Sequence, residues 1–189
     1  MGHLGSEDQR EKGKDSDLNT AIDWKSMEAA IGIQNFSEVR DKGAYYVDKS
    51  ELIGRILEKR STKAFLFTRP RRFGKSLNLS MLDAYLNQRY KGNSWFDGLK
   101  VSELRPDDPL KNSFPVISVD MKTMYGDNYE DTVDAVRAGM MKLFQRFGEL
   151  DGSDRLSPSQ KKLYRSIADG EEGIGALQSA LSFLSGFLK

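Results

Sequence analysis

The sequence predicts an α/β fold in which helices flank a parallel sheet. Two short, uninterrupted apolar runs carry that expectation, AFLFT at residues 64–68 and FPVISVD at residues 114–120. Continuous apolarity is what a strand needs when both of its faces are buried, as in a parallel sheet. Each run is followed by a helical pattern, and strand–helix–strand–helix order is the signature of a parallel arrangement. A length of 189 residues, 38% of them hydrophobic, suits one domain of ordinary size. The strand count is short, however. Two core strands leave neighbours missing, and each buried backbone group without a partner costs about 1–3 kcal/mol. The chain also closes on an apolar helix where a third strand is due. The domain is therefore expected to be incomplete, with a C-terminal segment or a second copy supplying the rest.

Composition narrows the chemistry. Lys and Arg number 29 against 28 Asp and Glu, a net charge of +1, so binding of nucleic acid through bulk charge is excluded and only a local basic patch remains. The chain has no cysteine, hence no disulfide, thiol nucleophile or thiolate metal site. Its single histidine, His3, stands in an N-terminal stretch with little to bury, which disfavours a Ser-His-Asp triad and histidine-ligated zinc. Residues 1–28 are expected to be a disordered tail preceding a domain at 29–189. The start lacks the apolar run of a signal peptide. The longest uncharged stretch, residues 173–188, is shorter than the roughly 20 apolar residues that span a bilayer. No membrane partner is expected, and the cytoplasm is the expected location.

The elements follow in order. Phe36 and Val39 share one face of a helical turn that stops at Gly43, and the run from Ala44 to Val47 is expected to be extended. Asp48 with Glu51 predicts a capping box opening a helix with Leu52, Ile53, Ile56 and Leu57 on one side. The first strand then leads into a basic loop and a helix carrying Leu77, Met81, Leu82, Tyr85 and Leu86. Residues 90–113 predict an irregular connection holding Trp95, Phe96 and Leu99. After the second strand, Asp127 and Glu130 predict the capped start of a helix with Val133, Val136, Met140, Phe144 and Phe147. Ser157-Pro158-Ser159-Gln160 opens another, ending near Gly170. The last presents Ile174, Leu177, Leu181, Leu184 and Leu188.

The chemical signal is the loop between the first strand and its helix: Arg69, Pro70, Arg71, Arg72, Phe73, Gly74, Lys75, Ser76 and Leu77. A phosphate-binding loop (Walker A) reads Gly, four residues, then Gly-Lys-Ser/Thr between strand and helix. Gly74-Lys75-Ser76 matches, which makes the expected fold P-loop NTPase-like. Gly74 lets the backbone approach a phosphate unobstructed. The amides of Lys75, Ser76 and Leu77 sit at a helix N-terminus, where unpaired donors and the dipole favour an anion. Lys75 is the catalytic candidate, reaching the outer phosphates of ATP, and the Ser76 hydroxyl is placed to meet Mg²⁺. The departure is Arg69 where the pattern has its first glycine. An arginine is disfavoured by about 1–2 kcal/mol wherever positive φ is needed, so the loop is expected to enter differently, with Pro70 fixing its course. Residues 114–120 read either as a Walker B strand ending in a metal-linked Asp120 or as an ordinary buried strand. No acid follows Asp120, whose successors are Met121 and Lys122, which favours the ordinary strand.

The stretches IGIQNFSEVRDKGAYYVDKSELI, AFLFTRPRRFGKSLNLSMLDAYL, WFDGLKV and FPVISVD together resemble the predicted AAA-ATPase-like family of the P-loop ATPase superfamily. The resemblance covers roughly residues 30–188, and its specific blocks are Tyr-Val-Asp-Lys and Arg-Pro-Arg-Arg-Phe-Gly-Lys-Ser. It implies ATP and Mg²⁺ as ligands and Arg in place of the first glycine as usual. It further implies a Walker B strand ending in Asp-Glu beyond residue 120, and often a restriction-endonuclease-like nuclease domain after it. Neither is found in this chain, so the resemblance implies binding more firmly than hydrolysis. Tyr45 to Lys49 reads either as a flank for the adenine or as a structural strand and cap. Two other readings stand beside ATP binding. Arg55, Lys59, Arg60, Lys63, Arg69, Arg71, Arg72 and Lys75 face one acid, Glu58, and such a cluster suits backbone phosphates of DNA. A non-catalytic interaction scaffold, completed through the apolar last helix, is the third.

Overall fold

The computed structural model describes residues 30–59 and 61–188; the tail expected at 1–28 lies outside the described residues. Seven α-helices are found among them. The first four are α1 (Phe36–Asp41), α2 (Glu51–Glu58), α3 (Lys75–Leu86) and α4 (Lys100–Leu104), and the last three are α5 (Tyr129–Gln145), α6 (Pro158–Asp169) and α7 (Ile174–Phe187).

The expected parallel sheet is not there. Among the described residues no strand forms; a parallel bridge pairs Asn87 with Phe114. Residues 64–68 run without helix, strand or turn, and Leu66 is 88% exposed. Residues 115–120 are equally unpaired, although Ile117 and Val119 pack against the α5–α7 core. The physical reason is that an apolar run by itself specifies neither the segment that pairs with it nor the one that covers it. A ladder needs a second chain segment at about 4.8 Å, and nothing in a local pattern supplies it. The prediction of a P-loop NTPase-like parallel sheet is corrected to a helical architecture.

Two cores organise the helices. Phe36, Ile53, Met81, Ala84, Tyr85 and Phe96 form the first, where α1 packs on α3 and α2 on α4. Tyr85 and Phe96 meet edge to face with centroids 5.0 Å apart, the arrangement that opposed ring quadrupoles favour. The second core joins α5 to α6 and α7 through Phe144, Tyr164, Ile167, Ala180 and Leu184. Arg89 links the two: its guanidinium lies 4.7 Å from the Phe147 ring centroid and 3.6 Å from Glu149.

Helix ends separate local from tertiary signals. At α6 the expected capping box forms, with Ser157 and Gln160 bonding each other's backbone and Gly170 closing the helix at φ 76°. At α5 the cap is Asn128, not Asp127; its side chain accepts from the Asp131 amide at 2.9 Å. At α2 the expected Asp48 box is absent. Asp48 accepts instead from the amides of Ser50 and of Lys100, each at 2.8 Å, and the buried Ser50 hydroxyl accepts from Val101 at 3.0 Å. The first amides of α4 have no intrahelical partner; residues from before α2 satisfy them. The same contact explains the carboxyl of Asp48. Burial alone pushes its pKa up, but the bonds from Lys100 and Ser50 outweigh that and hold it below the usual carboxylate value.

Candidate functional site: a basic turn beside an apolar cavity

Gly74 stands at the N-cap of α3 with φ 73° and ψ 23°, a left-handed conformation that suits glycine. Arg69 takes an ordinary φ, so the position that departs from the glycine pattern carries no strain there. Arg72 does: at φ 67° it is a non-glycine residue in the left-handed region, at a cost of about 1–2 kcal/mol. The Lys75 side chain turns back over the loop, its ammonium donating to the carbonyls of Arg69 at 2.6 Å and Pro70 at 2.8 Å. The first turn of α3 contains no acidic residue, so nothing on the helix itself offsets the positive end of its dipole.

Beside this turn lies a cavity of about 800 Å³, within the range of ligand pockets. Arg69, Phe73, Lys75 and Ser76 line it, whereas Pro70, Arg71, Arg72 and Leu77 stand outside its lining. The opposite wall is apolar. Phe65 and Phe67, two apart on an extended segment and so on one side of it, stack at 6.3 Å between centroids with an interplanar angle of 10°. Lys49 also borders the cavity. Sequence reasoning did not single out Phe65 and Phe67 as site residues; the signal available was their spacing of two immediately before the loop. The lining contains no carboxylate.

The two candidate metal ligands are not brought together. Ser76 lines this cavity, while Asp120 lines a separate one with Thr123, Met124 and Arg146, and its carboxylate accepts from the Lys122 amide at 3.0 Å as a local cap. Among the described residues no group of three or more His, Cys, Asp or Glu side chains is placed to hold a metal ion. No helix among them is long and apolar enough to cross a membrane.

A left-handed glycine and a lysine at a helix start thus stand beside a cavity lined by Lys49, Arg69 and Lys75 together with Phe65, Phe67 and Phe73. The model of the family described as predicted AAA-ATPase, AAA-ATPase-like, matches residues 30–174. The chain belongs to that family. No curated protein and no solved structure matches it.

Proposed function

We propose that this chain binds a nucleoside triphosphate, ATP, with its phosphates on the turn of residues 69–77 and its base toward Phe65 and Phe67. The observation that carries this reading is the Gly74-Lys75-Ser76 turn: a left-handed glycine and a lysine folded over loop carbonyls, at a helix start opening on a cavity of nucleotide size. Family membership supports it. Mg²⁺ retains several waters and takes one or two protein oxygens beside the phosphates, so the Ser76 hydroxyl fits a metal that arrives with its ligand. Bound there, Mg²⁺ neutralises phosphate charge. Lys75 exchanges its two carbonyl bonds for phosphate oxygens, and the first-turn amides of α3 orient the anion. Hydrolysis needs a group that positions water, and the cavity lining contains no carboxylate to do so. Binding is therefore the function proposed for this chain.

Calorimetric titration of the full chain with Mg·ATP tests the reading. Lys75→Ala is expected to weaken binding at least about tenfold, or about 1.4 kcal/mol, with the circular dichroism of the helices unchanged. Equal affinity in the folded variant overturns the phosphate assignment. A second reading, DNA binding, is favoured by Arg71 and Arg72, which are exposed and outside the cavity. If ATP and DNA share the loop, saturating Mg·ATP displaces labelled DNA. DNA binding that persists through saturating ATP and through Lys75→Ala places the nucleic-acid surface elsewhere.

A further inference from the structure

The Tyr-Val-Asp-Lys block at residues 46–49 is a sequence signal that the turn at residues 69–77 does not absorb, and most of it has a structural task. The Tyr46 ring meets Phe36 edge to face at 5.3 Å, and its hydroxyl donates to the Met81 sulfur at 3.1 Å. Asp48 holds the start of α4 through the Lys100 amide. Between them, the Lys49 amide donates to the Tyr46 hydroxyl at 3.4 Å. The backbone of Lys49 is thus tied to α1, α3 and α4. Its side chain has no comparable task. It is exposed, and among the described residues it forms no ion pair. It reaches the loop instead: its ammonium stands 3.7 Å from the point a Gly74 side-chain carbon would occupy.

We infer that Lys49 is a second phosphate-binding cation, bordering the same cavity as Lys75 and biasing the site toward polyphosphates. The inference rests on the nucleotide reading above and adds a residue and a selectivity to it. Lys49, Arg69 and Lys75 border one cavity whose lining carries no acid. Like charges in a common cleft repel until a counter-charge enters, and they concentrate anions there. A triphosphate spreads its anionic oxygens over three linked groups and can meet three separate cations at once; a monophosphate offers one group. Because the backbone of Lys49 is tied down by Tyr46 and by the flanking Asp48 contacts, only its side chain is left to be ordered when the anion binds. A purely structural lysine has no reason to point at the one left-handed glycine of the loop.

The test titrates the full chain and its Lys49→Ala, Lys49→Arg and Lys75→Ala variants with Mg·ATP and with AMP, using Lys162→Ala as an exposed control. Lys49→Ala is expected to lose about tenfold in ATP affinity and much less for AMP. Lys49→Arg restores most of the loss, and the control matches the parent. If Lys75→Ala weakens ATP binding while Lys49→Ala does not, the role of Lys49 is refuted and the nucleotide reading survives. Equal losses for ATP and AMP, without rescue by arginine, refute it as well and assign Lys49 to the scaffold. A parent chain that binds no ATP overturns both readings together.

Discussion

Asp108→Ala is expected to destabilise the chain by about 3 kcal/mol and to weaken whatever binds at the start of α3. The Asp108 side chain is 1% exposed. It accepts from the Tyr85 hydroxyl at 2.7 Å, from the Arg105 guanidinium at 2.6 Å and from the Leu110 amide at 3.1 Å. Removing it strands a buried hydroxyl and an arginine. Breaking a fully buried pair costs about 3–5 kcal/mol, and the lower end applies because Arg105 keeps 26% exposure and stays partly hydrated. Tyr85 belongs to α3, and the turn that Asp108 organises ends at Asn112, whose buried amide donates to the carbonyls of Ala84, Tyr85 and Asn87. Those are the unpaired carbonyls at the C-terminus of α3, the helix whose first residue is Lys75. Loosening that end loosens the phosphate turn.

The same carboxyl predicts acid sensitivity. Burial raises its pKa, but the bonds from Arg105, Tyr85 and Leu110 outweigh that, leaving it below the ordinary carboxylate value. A depressed folded pKa contributes stability above the unfolded value of about 3.9 and loses it as pH falls from there through the folded value. Urea midpoints measured across that window should fall less steeply in Asp108→Ala than in the parent. An unchanged slope, or a midpoint at neutral pH equal to the parent's, contradicts the assignment.

Phe144→Ala is expected to cost about 3–5 kcal/mol, the usual loss for emptying a buried aromatic position. Phe144 is fully buried in the α5–α7 core, 5.5 Å from the Tyr164 ring centroid, and its carbonyl accepts the Tyr164 hydroxyl at 2.7 Å. Phe144→Leu retains most of the volume and should lose much less. Denaturation should show a lower midpoint with the same slope, as a change in stability without a change in exposed surface requires. Because Phe144 belongs to the other core, the folded fraction should bind Mg·ATP as the parent does. Reduced affinity in that fraction would mean that the two cores are coupled more strongly than the Arg89 contacts imply.

The comparison of Asp48 with Ser157 shows where sequence reading stops. Both precede a helix with the right partner three residues on. At α6 the box forms because every donor and acceptor lies within four residues. At α2 the Asp48 carboxylate is taken by the Lys100 amide, brought from far along the chain. The turn at the start of α3 was legible for the same local reason as α6: a glycine followed by a helical pattern specifies its own geometry. The apolar wall was not, and the segment 45–49 read only as a flank for the adenine or as a strand and cap, since the Lys49 ammonium meets Gly74 only once Tyr46 and Asp48 have docked on α3 and α4.

What the sequence by itself determined was six of the seven described helices, the Ser157 cap and the glycine start of α3, each governed by contacts within a few residues; α4 formed inside the stretch 90–113 expected to be irregular. Only the tertiary structure decided that the two apolar runs form no sheet with each other, that Asp120 lies apart from Ser76, and that Asn112 closes α3 at φ 52°. Pairing, separation and burial depend on which distant segment arrives, and that is settled by the competition among all segments for the same apolar surface and the same unpaired amides.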